Sequence, residues 1–313
     1  MTDSTDQPEP QHRTSASSLS ERLDAIAQAA VDEAAGSGTA IRVSYQLASA
    51  SGPIAGRAAD DEHYAASTMK LPLVLAAYRG RDQGRLDLDS MLTVHNSFTS
   101  RVGSPFGVDV EDDSDHEVWD AMGSQVSLRW LCRRSIIRSS NLATNLVLEA
   151  VGFDAVAEAI AACDAGDLRV VRMINDYAAQ QVGRSNVVTA AGLNAVLAAL
   201  AAGTAAEPAT CREVLAILAD NEVTTDVTQG LPEGTWVAHK NGWVSDAVLD
   251  AALIRPGGVD DPEGEFVLSA AVSGRWPNDR SHDVIGRLAA EAWAHRTAWQ
   301  ADSYAADVPV GHG

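Results

Sequence analysis

A chain of 313 residues, 46% of them apolar and 21% charged, carries enough hydrophobic side chain for a full-sized core, which excludes a disordered chain and a disulfide-stapled miniprotein. At roughly 150 residues per domain the length suggests about two packed units. The 43 acidic residues outnumber the 23 basic ones and leave a formal charge of −20, so nucleic-acid phosphates and anionic membranes are not expected partners.

Residues 1–18, MTDSTDQPEPQHRTSASS, read as a flexible tail without an apolar run that could act as a signal-peptide core. Nowhere do 18 consecutive residues stay apolar enough to span a bilayer, and the expectation is a cytoplasmic protein. From Leu19, the residues Leu23, Ile26, Ala27, Ala30 and Val31 recur at helical spacing behind a Ser18/Glu21 capping box, and Gly36 and Gly38 end the helix. Ile41 to Leu47 alternates as a half-buried strand, Ser51-Gly52-Pro53 turns the chain, and Ile54 to Ala58 pairs back. Helical patterns such as Leu128–Arg138 and Asn141–Val151 dominate the middle. Strands return at Thr235–His239, Val248–Ile254 and Phe266–Val272, and a last amphipathic helix follows Ser281 with Ile285, Leu288, Trp293 and Trp299 on one face.

This order implies an α+β fold: an antiparallel sheet built from both chain ends with flanking helices, and an inserted all-helical domain. The expected boundaries are 19–66 and 226–300 for the sheet domain, 67–225 for the helical insert, and 301–313 for a second flexible tail. A cleft between two such layers is a natural ligand site. The acidic stretch Asp109–Asp120 lacks the spacing, glycine and terminal glutamate of a calcium loop. It reads as a solvated surface loop, and no metal is implied. Cys132, Cys163 and Cys211 are widely spaced with no CxxC pair and read as reduced, buried thiols.

The 23 basic residues comprise 21 arginines and only two lysines, Lys70 and Lys240. Arginine stays protonated, whereas lysine can lose its proton when desolvated or placed beside another cation. Two retained lysines mark two places where arginine does not serve.

Ser67 and Lys70 lie in AASTMKLPL, at i and i+3 on one helical face, with the serine near a helix start. A serine hydroxyl is a poor nucleophile until a base removes its proton, and a neutral lysine can do so. Ser139-Ser140-Asn141 supplies a second hydroxyl and an amide at another helix start, and Lys240-Asn241-Gly242 lies on a late strand with a glycine that permits close backbone approach.

Serine–x–x–lysine, serine–x–asparagine and lysine–x–glycine in this order are the signature of the penicillin-recognising serine enzymes. The chain resembles the class A β-lactamases, in particular a divergent serine-hydrolase branch, from about Leu19 to Trp299. The resemblance implies Ser67 as the acylated nucleophile and Lys70 as its base. Ser139 would pass a proton to the leaving nitrogen, and Lys240 would hold that relay and attract a substrate carboxylate. Asn141 would bind the substrate amide. Asn241, Gly242 and Trp243 would line the substrate groove, with the N–H groups of Ser67 and Trp243 as the oxyanion hole. Asn145 would anchor the active-site loop.

The family's loop glutamate, which activates the deacylating water, has no counterpart, since no glutamate occurs between Glu158 and Glu207. Asp176 is the one carboxylate well placed in that loop; it reads first as a loop or cap residue and second as a deacylation base, and slow release of the acyl group is expected without a positioned base. The hydroxyl residue expected after the strand lysine is Asn241, the central aspartate of the second motif is Ser140, and the acidic insertion lengthens the spacing between the first two motifs.

No GxSxG elbow or HExxH pair is present, and His239, beside Lys240 on the strand, points to the opposite face and reads as structural. The expected function is a β-lactamase-type serine acyl hydrolase on a small-molecule substrate, without a cofactor and as a monomer. The alternatives are an esterase or amidase acting on a non-β-lactam substrate and a covalent penicillin-binding module without turnover.

Overall fold

The computed structural model describes residues 18–306, with side chains described as far as residue 297. The expected tails at 1–17 and 307–313 and the Trp299 side chain lie outside the described residues. Ser18 caps the first helix, and residues 301–306 continue the last one instead of opening a tail.

The first helix, α1 (Leu19–Gly36), starts on the expected capping box: Ser18 Oγ accepts from the Glu21 N–H at 3.3 Å and the Glu21 carboxylate accepts from the Ser18 N–H at 2.7 Å. Five strands form the main sheet: β1 (Arg42–Ser49), β2 (Gly52–Arg57), β3 (Trp236–Val244), β4 (Ala247–Arg255) and β5 (Phe266–Ser273). Their order is β2-β1-β5-β4-β3 and every neighbouring pair is antiparallel. The two chain ends meet at β1 and β5, registered from Arg42 opposite Ser273 to Ser49 opposite Phe266.

Alternation along the strands divides the core in two. Val43, Tyr45, Leu47, Val248, Ala252, Ile254, Leu268 and Val272 face α1 and the C-terminal helix. Leu249, Ala251, Leu253, Val267 and Ala271 face the central helices. On edge strand β3, Val237 belongs to the first layer and Ala238 to the second. Period two then puts Lys240 and Gly242 toward the central helices, and His239, Asn241 and Trp243 toward the C-terminal helix.

The central helices are α2 (Lys70–Asp82), α3 (His116–Asp120), α4 (Leu128–Ile137), α5 (Asn141–Val151), α6 (Phe153–Ala161), α7 (Tyr177–Gln181), α8 (Ala190–Ala201) and α9 (Pro208–Ala219); α10 (Asn278–Ala306) closes the chain. Nearly every residue of α2 is buried, because α4, α5, α6 and α9 surround it. The middle of the chain is not all helix, contrary to expectation. Met91–Thr93 pairs with Gln125–Ser127, Phe98–Thr99 pairs with Pro105–Phe106, and His63–Tyr64 pairs with Val187–Val188. The long connection from α2 to α4 thus satisfies its own backbone groups in short ribbons. Among the described residues no helix is long and apolar enough to cross a membrane. All three cysteines are free and buried.

Candidate active site

Ser67 sits in a 3-10 turn (Ala66–Met69) that leads directly into α2. Ala66 before it has φ +43°, a left-handed conformation that an alanine adopts only at a cost of about 1 kcal/mol or more. The turn packs against β3. A Cβ on Gly242 would stand 2.4 Å from the Ser67 amide nitrogen. The Ser67 main chain therefore demands a glycine here, a reason beyond the ligand approach that the sequence suggested.

Lys70, the first residue of α2, is 0% exposed. Its amine donates to Ser139 O at 2.7 Å, Ser139 Oγ at 3.1 Å and Asn141 Oδ1 at 2.9 Å, so its three acceptors come from the turn between α4 and α5. Ser139 holds φ +56°, which turns its carbonyl toward the amine. Burial pushes the Lys70 pKa well below the ordinary lysine value, and the charge of Lys240 pushes it the same way, while Asp113 opposes both. Lys240 is also 0% exposed. Its amine donates to Asn241 O at 2.8 Å, and burial lowers its pKa to about 8 against the opposing pull of Asp250 and Asp226.

The structure thus brings Ser67, Lys70, Ser139, Asn141, Lys240 and Gly242 into one place, where the start of α2, the α4–α5 turn and β3 converge. Asn145, one turn further along α5, donates to Ile174 O and accepts from Ile174 N, both at 2.9 Å, which ties the 170s loop to the helix.

Asp176 takes the first of its two expected readings, and the placing of Asn241 needs correction. Asp176 is a buried helix cap: its carboxylate accepts from Ser100 Oγ at 2.6 Å, the Ala179 N–H at 3.0 Å and the Arg101 N–H at 3.2 Å. It is committed to α7 and to the hairpin at Ser100, which leaves it no part as a deacylation base. Asn241 is also fully buried and satisfied, donating to Asp226 at 2.7 Å and taking part in longer contacts with Asn221 and Val223. Alternation turns its side chain away from Lys240, so it is not a substrate contact. Trp243 shares that face but is 42% exposed at the strand end, its ring edge-on to His282 at 6.0 Å. His239 packs against Asp250 at 3.1 Å, as a structural histidine.

The acidic stretch also departs from expectation. Asp113 and Asp115 are buried, and both accept from specific protein donors. Asp113 stands behind the Ser139–Asn141 turn, and Asp112 O accepts from Asn141 Nδ2 at 2.7 Å. Composition alone hides this role. The readable signal is the motif's missing acid at Ser140 together with the aspartates spaced to cap α3.

Comparison with known proteins gives the class to which this fold belongs, a β-lactamase-type hydrolase. The model of the beta-lactamase enzyme family matches residues 18–296, and the chain belongs to that family. Solved structures share the fold at low identity. A β-lactamase from Sphaerobacter thermophilus is 23% identical with a TM-score of 0.71, over 88% of this chain and 98% of that one. One from Xanthomonas campestris is 21% identical with a TM-score of 0.72, over 88% and 97%. An ancestral class A β-lactamase is 22% identical with a TM-score of 0.71, over 88% and 99%. Among curated proteins no relative matches.

Proposed function

We propose that this protein is a serine acyl hydrolase that works through an acyl-enzyme on Ser67, with the Lys70 amine as the base. The observation that carries this reading is Lys70 itself: a fully buried amine, driven toward its neutral form and within hydrogen-bond reach of Ser139 Oγ at 3.1 Å and Asn141 Oδ1 at 2.9 Å. In the forward step Ser67 Oγ attacks the substrate carbonyl as its proton passes to Lys70. The oxyanion that forms is held by the N–H groups of Ser67 and Trp243, a contribution of about 3–4 kcal/mol for each such donor. The 3.1 Å bond from Lys70 to Ser139 Oγ offers the return path. Lys70 gives the proton to Ser139, Ser139 gives its own to the departing nitrogen or oxygen, and the bond to the leaving group breaks.

Deacylation has less support. The residue that Asn145 holds in the loop is Ile174, which carries no titratable group, and Asp176 is spent as a cap. Water must then be activated by Lys70 alone, and loss of a dedicated base slows such a step by roughly 10²–10⁴-fold. Release of the acyl group is the slow step. Family membership favours a β-lactam amide as substrate. The burial of Asn241, where a β-lactam carboxylate would need a donor, favours a second reading: a simpler ester or amide without that carboxylate.

Intact mass spectrometry over time, with a chromogenic cephalosporin and p-nitrophenyl acetate, separates these readings. A Ser67 adduct that rises and decays with either compound, and is absent in Ser67→Ala, is the expected result. Decay with only the ester selects the second reading, a permanent adduct selects a covalent binding module, and no adduct with either compound contradicts the acyl-enzyme mechanism.

A further inference from the structure

The acidic segment does more than decorate the surface. We infer that Asp113 is a positioning residue of the acyl-transfer site, whose carboxylate clamps the Ser139-Ser140-Asn141 turn and so sets the acceptors of the Lys70 amine. The inference rests on the serine acyl hydrolase reading for its consequence, but its geometry stands independently.

One carboxylate oxygen, Asp113 Oδ2, gathers three donors: the Leu142 N–H at 2.8 Å, the Trp119 indole N–H at 3.1 Å and Ser140 Oγ at 3.2 Å. The other, Oδ1, accepts from the Asp115 N–H at 3.2 Å. Two of these donors lie in or directly beyond the turn, on either side of Asn141. The next residue back extends the grip, since Asp112 O accepts from Asn141 Nδ2 at 2.7 Å and thereby leaves Asn141 Oδ1 for Lys70. The next residues forward anchor the segment itself: Ser114 Oγ donates to Arg138 O, and Asp115 takes both nitrogens of the buried Arg134 fork from α4.

A clamp is needed at this point. Ser139 holds φ +56°, and an L-residue there relaxes unless its neighbours are pinned. A carboxylate in this central place would serve, but position 140 is a serine, whose hydroxyl caps Ala143 N at 3.1 Å and donates to Asp113. The acid missing from the turn is thus supplied from a segment far away in sequence. A buried carboxylate is costly to leave unsatisfied, so the four donors argue for a built arrangement rather than an accidental one.

The test exchanges the two residues in the full chain. Acylation of Ser67 by p-nitrophenyl acetate is followed through the burst of p-nitrophenolate, and the lysine 13Cε signals are recorded in parallel. Only two lysines are present, so Lys70 is resolved. In Asp113→Ser the acylation rate constant is expected to fall about 10²-fold, the scale of a misplaced catalytic group, with the Lys70 signal displaced. In the exchanged pair Asp113→Ser with Ser140→Asp, the rate returns to within about tenfold of the native value and the signal returns with it. Asp113→Asn gives the same reading if the serine variant does not fold. A native acylation rate in Asp113→Ser, or a loss that the exchange fails to restore, overturns the inference. Should the native protein give no burst, the acyl hydrolase reading fails instead. The Lys70 signal then decides the positioning role alone, an undisplaced signal in Asp113→Ser overturning it.

Discussion

At the scale of single residues, two positions hold lysine in a chain that otherwise uses arginine. A guanidinium stays charged in any protein environment and would leave Ser67 without a base. Lys70→Met preserves volume without an amine. It is expected to lower the Ser67 acylation rate by roughly 10²–10⁴-fold, while circular dichroism shows the helices unchanged; a native rate would remove Lys70 from the mechanism. The lysine count marked out the two amines that the structure buries, and the spacing of Ser67 and Lys70 marked the start of α2. Asn241 was not placed correctly, although the rule that sent His239 to the far face of the strand applies equally to the other neighbour of Lys240. Asp113 was hidden for a different reason. A carboxylate in a charge run looks solvated unless its donors, here an indole and the start of α5, are seen.

At the scale of elements, the site depends on how closely the edge strand approaches the serine turn. Gly242→Ala would place a methyl group 2.4 Å from the Ser67 amide nitrogen, which as backbone cannot swing aside. A cost of about 1–3 kcal/mol is expected in denaturant unfolding, together with loss of acylation. Gly166→Ala, where an added Cβ meets nothing within 4 Å, serves as the comparison and should leave both unchanged. The sheet also carries a pH-sensitive tie. His63 bridges Ser273 at 2.6 Å and Ser44 at 2.8 Å, and burial first, then Arg42, lowers its pKa to about 4. The folded state holds this ring neutral while the unfolded chain protonates it from about pH 6.5 downward. Stability is therefore lost as the pH falls from 6.5 toward 4, and His63→Gln should flatten that part of the chemical-denaturation profile. The main strands and α1 were legible because alternation and a capping box are local signals. The short ribbons between α2 and α4 were not, since strands of two or three residues carry too few positions to show a period.

At the scale of the whole molecule, the two buried amines are a standing cost that the rest of the core offsets. Lys240 folds with a pKa near 8, below the roughly 10.4 of an unfolded lysine. Below pH 8 both states are protonated and the folded state bears the full desolvation cost. As the pH rises from 8 to 10.4 the folded amine is already neutral while the unfolded one is not, and that cost is relieved. Lys240→Met should accordingly be more stable than the native chain at neutral pH, by up to about 3 kcal/mol, with the difference fading toward pH 10.4 in denaturant titrations. A variant less stable than native at pH 7 would mean that Lys240 is held by compensating charge rather than retained for chemistry. One face of the sheet shares a core with the central helices and the other with α1 and α10, and both amines lie in the first of these layers, between sheet and helices.

The protonation state of Lys70 in the resting protein tests the account most directly. Lysine labelled with 13C gives one pair of side-chain signals, from Lys70 and Lys240, whose Cε shifts can be followed against pH. Lys70 is expected to titrate well below the ordinary lysine value of 10.5, because burial and the charge of Lys240 both disfavour its ammonium form, while Lys240 titrates with a midpoint of about 8. A Lys70 signal that titrates near the ordinary value of 10.5 would contradict the account.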